Sequence, residues 1–518
     1  MVFRVDASTS MGVGHLNRCL ALADTLRSRS IHSKFICREH EGHLLPLVGS
    51  AGMNVVGLPV PLSKGVNGIE EYAAWLGVSQ EEDAWESMAA LAGERPDWVV
   101  VDHYGLDARW ERALRPQAEH LMVIDDLANR VHECDLLLDQ NFFPAPDERY
   151  ARLVPPECRP LLGPRFALLD AAYRRYRCIE RRRDGGVGTI FVFFGGSDPR
   201  NLTGAALEAL SCRSLRHLTV DVVVGANNNH RSHLQRLASD RPGTTLHGSR
   251  PHLADLMSRA DLAIGAAGVT TWERMCLGVP SIVVSIAENQ RPTAEALAEN
   301  GLIRYLGAAR NVGSADLSAA IKEAIDGKQE LADQSLRGRL IVDGLGAVRV
   351  MECIDCTEPQ RLCLRAAQIE DMELFFDWAN DPEVRRQSLK TDAIAWLTHQ
   401  QWFRTRLEDE RSRMFVMEAQ SLPVGQIRFD LDDGEALIDF SIEAQFRGRG
   451  WGGCLIAMGM ARMTEREQPI FRAEVKASNP ASAAVFARLG FRESASANRS
   501  DVKIYRFDSA RRTLPEGD

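Results

Sequence analysis

A histidine follows a glycine turn near the start of the chain. Gly12, Gly14 and His15 sit where the β-type run VFRVDAS gives way to the helical run HLNRCLALA. Glycines let backbone approach a phosphate or sugar, and a helix N-terminus disfavours the imidazolium, leaving a neutral ring able to take a proton. A second concentration is GAAGVTTWERMCLGVP. There Gly265 and Gly268 follow a strand and Thr270 and Thr271 precede a helix, so backbone N–H groups and hydroxyls would converge on one anion-sized site. Glu273 would accept hydrogen bonds from ribose hydroxyls. FGGSDPRN, with Gly195, Gly196 and Ser197, repeats the strand, glycine and helix order. A third region, QFRGRGWGGCLIAMGMA, has the spacing R-x-x-G-x-G in a loop that opens a helix. Its residues Arg447, Gly448, Arg449, Gly450, Trp451 and Gly452 would present consecutive N–H groups to a pyrophosphate.

Each signal has a plainer reading. Glycine serves ordinary strand-to-helix turns, and a histidine often only satisfies a helix start. Asp102, His103 and Tyr104 close one strand-like run and Asp125 and Asp126 another; sugar binding or proton transfer and simple loop capping suit them equally. Glu443 is either a base for an incoming amine or a solvated strand-end carboxylate.

The elements that must hold these residues fall into about three units at the usual ~150 residues per domain. VFRVDAS, SKFICR, NVVGLPV, DWVVVDH, HLMVIDD and DLLLDQN read as strands of a parallel sheet covered on both faces, giving a first α/β lobe over 1–170. After the basic stretch RRYRCIERRRDGG the alternation restarts with TIFVFFGG, LTVDVVVG, TTLHGS, DLAIGAAG and PSIVVSIA, a second lobe over 186–345. Residues 346–360 read as a linker, and 361–510 as a mixed α+β domain. Ligands of paired open sheets bind between their strand C-termini.

Composition limits the function. Of 518 residues, 45% are hydrophobic and 26% charged, the proportions of a globular chain. A net charge of −9 disfavours a general nucleic-acid binder. The longest apolar runs are far short of the ~18 residues of a membrane span, and with Arg4 and Asp6 interrupting the start, the chain is expected in the cytoplasm. Eleven scattered cysteines suit reduced thiols. Cys353 and Cys356 form one CxxC without a second pair, so no metal site is expected.

Taken together, RVDASTSMGVGHLNRCLALA, VVVDHYGLD, VIDDLANRVHECDLLLDQN, FFGGSDPRN and AAGVTTWERMCLGVPSIVVSIAENQ resemble the UDP-sugar hydrolases of pseudaminic acid biosynthesis. That family shares the two-lobed GT-B architecture with the glycosyltransferase that builds the lipid-linked peptidoglycan disaccharide. The resemblance spans about 1–345. It implies that His15 positions or activates water, with Gly14 beside it, and that the helix from Glu273 to Pro280 holds the uridine ribose. It also implies that Asn289 and Gln290 face the sugar-phosphate, with Gly196, Ser197, Gly268, Thr270 and Thr271 completing the UDP-sugar site.

WANDPEVRR, the Arg447–Gly452 loop and ASNPASAAVFARLGFRE, in that order, resemble GNAT acetyltransferases over about 361–510. This implies acetyl-CoA as co-substrate, a loop that binds its pyrophosphate, two splayed strands that admit pantetheine, and a role for Asn479. Phe486 stands where many of these enzymes carry the tyrosine that protonates the departing thiolate, and phenylalanine cannot donate a proton.

The fold class expected is α/β: two Rossmann-like lobes in a GT-B arrangement, followed by an α+β GNAT domain. The function implied is bifunctional: N-acetylation of a UDP-4-amino-4,6-dideoxy-N-acetyl-altrosamine, then hydrolysis of the product to UDP and 2,4-diacetamido-2,4,6-trideoxy-L-altrose. The alternatives are a glycosyltransferase using the same kind of donor, or a sugar-nucleotide-binding regulator with an inactive acetyltransferase lobe. The partners implied are the UDP-amino sugar and acetyl-CoA, with no nucleic acid and no membrane; the sequence leaves oligomeric state open.

Overall fold

The computed structural model describes residues 1–8, 11–60, 72–178, 183–354, 362–420, 422–465, 468–495 and 501–508. The chain divides into two units, Met1–Cys356 and Thr357–Asp518.

The first unit contains two parallel sheets. In the first lobe, β1 (Val2–Val5), β2 (Lys34–Arg38), β3 (Asn54–Leu58), β4 (Trp98–Asp102), β5 (His120–Ile124), β6 (Leu136–Asp139) and β7 (Arg159–Leu162) lie in the order β3-β2-β1-β4-β5-β6-β7. Helices cover both faces, so strands such as β1 and β6 are buried throughout and read as continuous apolar runs. Arg4 is buried in mid-β1, its guanidinium reaching Asp6 at 2.5 Å and Asp83 at 2.6 Å. Paired carboxylates are what makes a buried cation tolerable.

In the second lobe, β8 (Thr189–Phe193), β9 (Thr219–Val223), β10 (Thr244–His247), β11 (Leu262–Ala266), β12 (Ser281–Ser285) and β13 (Arg304–Ala308) take the order β10-β9-β8-β11-β12-β13. In both sheets the winding reverses beside the first strand, between β1 and β4 and between β8 and β11. The turns and helix starts after those four strands hold His15, Tyr104, Gly195–Ser197 and Gly268–Glu273, so every candidate glycine loop of this unit lies at a switch point.

Two described strands of this unit lie outside the sequence reading. Both are edges: β7 is short and contains Pro160, tolerated there because an edge N–H is dispensable, and β13 contains Gly307.

The expected linker 346–360 is corrected in part. Gly346–Ile354 is a helix, and its Ala347, Val350, Met351 and Ile354 pack into the core of the first lobe with Leu22 and Leu26. The chain therefore crosses between lobes twice, near 167–170 and near 343–346, and the crossings touch. A Cβ on Gly346 would lie 2.2 Å from the Ala167 carbonyl oxygen, and Arg349 donates to both Asp343 and the Arg165 carbonyl. Cys353 belongs to this helix; Cys356 and the rest of 355–361 lie outside the described residues. The basic stretch before β8 is structural where described. Arg177 donates to the carbonyls of Cys276 and Val342, and Arg183 to those of Ala260 and Leu277, filling acceptors left open where helices end.

The second unit is a mixed sheet of β14 (Leu362–Ala366), β15 (Ser412–Ala419), β16 (Leu422–Asp432), β17 (Glu435–Ile442), β18 (Ile470–Lys476), β19 (Arg492–Ala495) and β20 (Val502–Asp508), ordered β14-β15-β16-β17-β18-β20-β19. Among the described residues of this unit only β17 and β18 pair in parallel, and their pairing ends at Ile438–Ala473 although the strands continue to Ile442 and Lys476. This is the splay the resemblance implied. The connecting helix Trp451–Thr464 starts beside the gap. Among the described residues no helix is long and apolar enough to cross a membrane.

Candidate active sites

His15 is the second residue of helix Gly14–Arg27, entered through Gly12 at φ 84°. Of the two, only Gly12 needs glycine's left-handed freedom; a Cβ on Gly14 would make ordinary van der Waals contact with Val269 of the second lobe at 3.5 Å. Helix spacing puts Arg18 one turn beyond His15, and Leu16, Cys19, Leu22 and Leu26 bury the helix against the sheet. Arg18 is buried too. Its Nε and Nη2 donate to the two oxygens of Asp102 at 2.7 and 2.6 Å, and Nη1 reaches Asp126 at 3.2 Å.

The His15 ring, 17% exposed, has Nδ1 3.7 Å from Asp102 Oδ1, a Coulombic neighbour beyond hydrogen-bond range. Burial lowers the His15 pKa below its usual value, and Asp102 only partly opposes it. The ring is therefore neutral at pH 7, as a base must be. Burial pushes the Asp102 carboxyl up, but Arg18 and then His15 outweigh it and hold it below the ordinary range. The carboxylate is thus permanently charged beneath the imidazole.

Tyr104, at the end of β4, packs its ring edge-on to His15 with centroids 4.5 Å apart. Burial and then Asp126 raise its pKa, and the phenol hydrogen-bonds Asp126. From the second lobe, Asn289 Nδ2 donates to the Tyr104 hydroxyl at 3.4 Å. Gln290 Oε1 accepts from Ile286 N–H at 3.0 Å, and Gln290 Nε2 faces Gly268. His15, Gly14, Gly268, Asn289 and Gln290 are therefore brought to one place from both lobes. The Gly195–Ser197 loop joins them, with Gly195 facing the Ile286 side chain.

Not every expected residue holds an anion. Gly265 serves packing: a Cβ would lie 2.4 Å from the Phe193 carbonyl oxygen. Thr270 and Thr271 open the helix Thr270–Cys276 rather than precede it, and the buried Thr271 hydroxyl accepts from Arg274 at 2.9 Å, turned away from the cleft. The expected anion seat of FGGSDPRN is filled from within, because Asp198 accepts from Leu202 and Thr203 N–H at 2.9 Å. Gly196 meets Gly225 instead, backbone against backbone, while Ser197 is exposed.

Glu273 stands on the cleft side of the same helix. Tyr173 hydrogen-bonds one carboxylate oxygen and itself accepts from Leu253 N–H at 3.2 Å, while Glu273 Oε2 is buried with no hydrogen-bond partner. Desolvation pushes its pKa up to about 7. A buried unpartnered acceptor costs on the order of 1–3 kcal/mol, a cost a hydroxyl-bearing ligand would remove. Tyr173 and Arg18 escaped the sequence reading. The one available signal for Arg18 was a charge on the apolar side of an amphipathic helix.

In the second unit, Gly448 and Gly450 both have φ 80° and leave open space where a Cβ would be, and helix Trp451–Thr464 begins without a side-chain cap. These features fit a pyrophosphate. Arg447 holds the loop's base, pairing with Asp381 at 2.8 Å and donating to the Ile442 carbonyl, while the Arg449 guanidinium lies over Phe446 and Trp451. Gly452 packs on Phe440. Asn479 is engaged as a helix cap, accepting from Ser482 N–H at 3.1 Å. Glu443 is buried and accepts from the Trp378 indole, so the solvated reading fails. Phe486 is enclosed by Phe440, Phe491 and Tyr505.

Residues 189–339 match the family model described as the glycosyltransferase family 28 C-terminal domain, and 361–492 that of the acetyltransferase (GNAT) domain. The chain is 24% identical over 301 residues to the UDP-2,4-diacetamido-2,4,6-trideoxy-beta-L-altropyranose hydrolase of Campylobacter jejuni, a match covering 58% of this chain and 97% of that protein. It is 29% identical over 190 residues to the spore coat polysaccharide biosynthesis protein SpsG of Bacillus subtilis, covering 36% of this chain and 56% of the relative. Among solved structures, MurG of Acinetobacter baumannii aligns with a TM-score of 0.48 at 15% identity over 68% of this chain and 98% of its own. The chain thus joins two Rossmann-like lobes, the second a glycosyltransferase family 28 C-terminal domain, to a GNAT acetyltransferase domain, and is a homologue of the altropyranose hydrolase and of SpsG.

Proposed function

We propose that the chain is a bifunctional enzyme of nucleotide-sugar metabolism: the second unit N-acetylates a UDP-4-amino-4,6-dideoxy-N-acetyl-altrosamine with acetyl-CoA, and the first hydrolyses the resulting UDP-2,4-diacetamido-2,4,6-trideoxy-L-altrose. The observation that carries the reading is the neutral His15, set over a charged Asp102 and packed against Tyr104, whose hydroxyl accepts from Asn289 of the opposite lobe. Water attacks the anomeric carbon, His15 takes its proton, and the C1–O bond to UDP breaks with the electron pair leaving on the diphosphate. UDP leaves readily, so the second lobe mainly has to bind it, with Glu273 Oε2 accepting from the ribose.

In the acetyltransferase, acetyl-CoA would lie with its pyrophosphate at Gly448–Gly452, and Glu443 would receive the proton of the attacking amine. Phe486 leaves the thiolate to be protonated by solvent.

The glycosyltransferase family 28 match supports a second reading, in which an acceptor hydroxyl replaces water. Mass spectrometry of the full chain with candidate UDP-4-amino sugars, with and without acetyl-CoA in ¹⁸O-labelled water, decides. Free diacetamido sugar released together with unlabelled UDP establishes both steps and cleavage at the anomeric carbon. Acetylation without hydrolysis refutes the hydrolase assignment; hydrolysis of supplied diacetamido sugar nucleotide without acetylation refutes the acetyltransferase assignment.

A further inference from the structure

Tyr72, Trp75 and Tyr104 form an aromatic cluster on one side of His15. Their ring centroids lie 5.2 Å apart for Tyr72–Trp75, 5.0 Å for Tyr72–Tyr104 and 5.7 Å for Trp75–Tyr104, and Trp75 is 6.3 Å from His15. Two of the rings come from the turn around Ala73–Leu76 and the third from the end of β4, so chain segments far apart in sequence converge here. Tyr72 and Trp75 are only half-buried, unlike the fully enclosed Trp110 of the same lobe. Among the described residues, polar groups stand on another side of His15: Asp102, Arg18 and Asp126 below, with Asn289 of the second lobe reaching the Tyr104 hydroxyl. The space around the imidazole thus has a charged side and an apolar side.

Fully hydroxylated hexoses need hydrogen-bond partners all round, and a hydroxyl against a ring face loses its water without replacement. A methyl group there loses nothing and gains contact. We propose that Tyr72, Trp75 and Tyr104 form the wall that reads the sugar half of the nucleotide sugar, selecting a pyranose whose edge carries methyl groups, at a 6-deoxy carbon and on acetamido substituents, over a hydroxylated one. This rests on the hydrolase reading and adds its basis for specificity. Trp75 is the discriminating residue, because its ring touches no group assigned to proton transfer except at ring distance, whereas Tyr104 also bonds Asp126.

The test compares UDP-2,4-diacetamido-2,4,6-trideoxyaltrose with UDP-N-acetylglucosamine in the full-length wild type, Trp75→Ala and Trp75→Phe. Release of UDP gives kcat/KM, and calorimetry gives the affinity of each nucleotide sugar relative to UDP alone. One apolar contact discriminates by ~10- to 200-fold, so Trp75→Ala should cut the preference for the deoxy sugar by that order, with UDP affinity unchanged and Trp75→Phe retaining most of the preference. Unchanged UDP affinity also shows that the variant is folded. A preference undiminished in Trp75→Ala overturns the wall. Should the wild type release UDP from neither sugar, the hydrolase reading falls separately, and the binding preference still judges the wall: its absence in the wild type, or its survival in Trp75→Ala, overturns it.

Discussion

Asn289 donates across 3.4 Å to the phenol of Tyr104, a residue that touches both the His15 ring and Asp126. A group from the second lobe, the one proposed to bind UDP, is thereby connected to the charged floor of the other lobe. Loss of this contact should disturb chemistry more than binding: Tyr104→Phe is expected to lower kcat while the Kd for UDP stays near wild type. A variant that loses UDP affinity and keeps kcat would disprove the connection.

His15→Asn should lower hydrolysis by ~10²- to 10⁴-fold, the usual contribution of a general base, and leave acetyl transfer unchanged. Because burial lowers the imidazole pKa below the usual 6.5 of histidine, the wild-type rate should stay level as pH falls toward 6.5 and decline only below it. The decline should be missing from the residual rate of the variant. An acid limb centred above 7 would contradict a buried, neutral His15.

Asp102→Asn removes the bidentate ionic partner of a buried arginine, leaving Arg18 with Asp126 alone. Breaking a buried pair from one side costs about 3–5 kcal/mol. Chemical denaturation should register a loss of that order, and a drop below about 1 kcal/mol would mean that water already reaches the guanidinium.

Glu273 ties UDP binding to pH. With its carboxyl raised to about 7, the free protein holds a proton that the ribose-bound carboxylate must release. Affinity for UDP should therefore weaken as pH falls below 7, by at most tenfold per unit. Titration of UDP itself is removed by comparison with Glu273→Gln, whose ratio to wild type should vary with pH only in that range; a constant ratio would be inconsistent with ionisation at Glu273.

Two substitutions separate binding from scaffolding in the acetyltransferase. Gly450→Asp puts a side chain at φ 80° and a negative charge at the proposed pyrophosphate position, so the KM for acetyl-CoA should rise steeply while UDP-sugar hydrolysis is untouched. Asn479→Ala should cost ~1 kcal/mol of stability as a lost helix cap and leave that KM alone. A large KM effect at Asn479 would restore it to the cofactor site.

The sequence disclosed those features in which local pattern and tertiary role coincide. Continuous apolar runs marked the buried strands, and glycine turns marked the switch points where His15 and Glu273 stand. It failed where one residue type serves two purposes. Gly265 and the FGGSDPRN turn look like parts of an anion site, but Gly265 makes room for the Phe193 carbonyl and Asp198 already occupies the helix start of that turn. Thr271 was misread for want of Arg274, whose inward direction no spacing reveals. Trp75 and Tyr72 lie in an irregular turn without periodicity, so only the folded chain brings them beside His15.

Gly346, pressed against the Ala167 carbonyl, has a consequence for how the protein is made. The first lobe is closed by Gly346–Ile354, so the second lobe is an insertion within it rather than its successor. During synthesis the first sheet can form early, but the patch beside Leu22 and Leu26 stays open to water until almost the whole first unit has emerged from the ribosome. Folding of this lobe is thus bound to contacts more than three hundred residues apart, the kind that form slowly and expose a nascent chain to aggregation. A truncation at residue 345, which would keep every strand of both sheets, would cut away part of the first lobe's core.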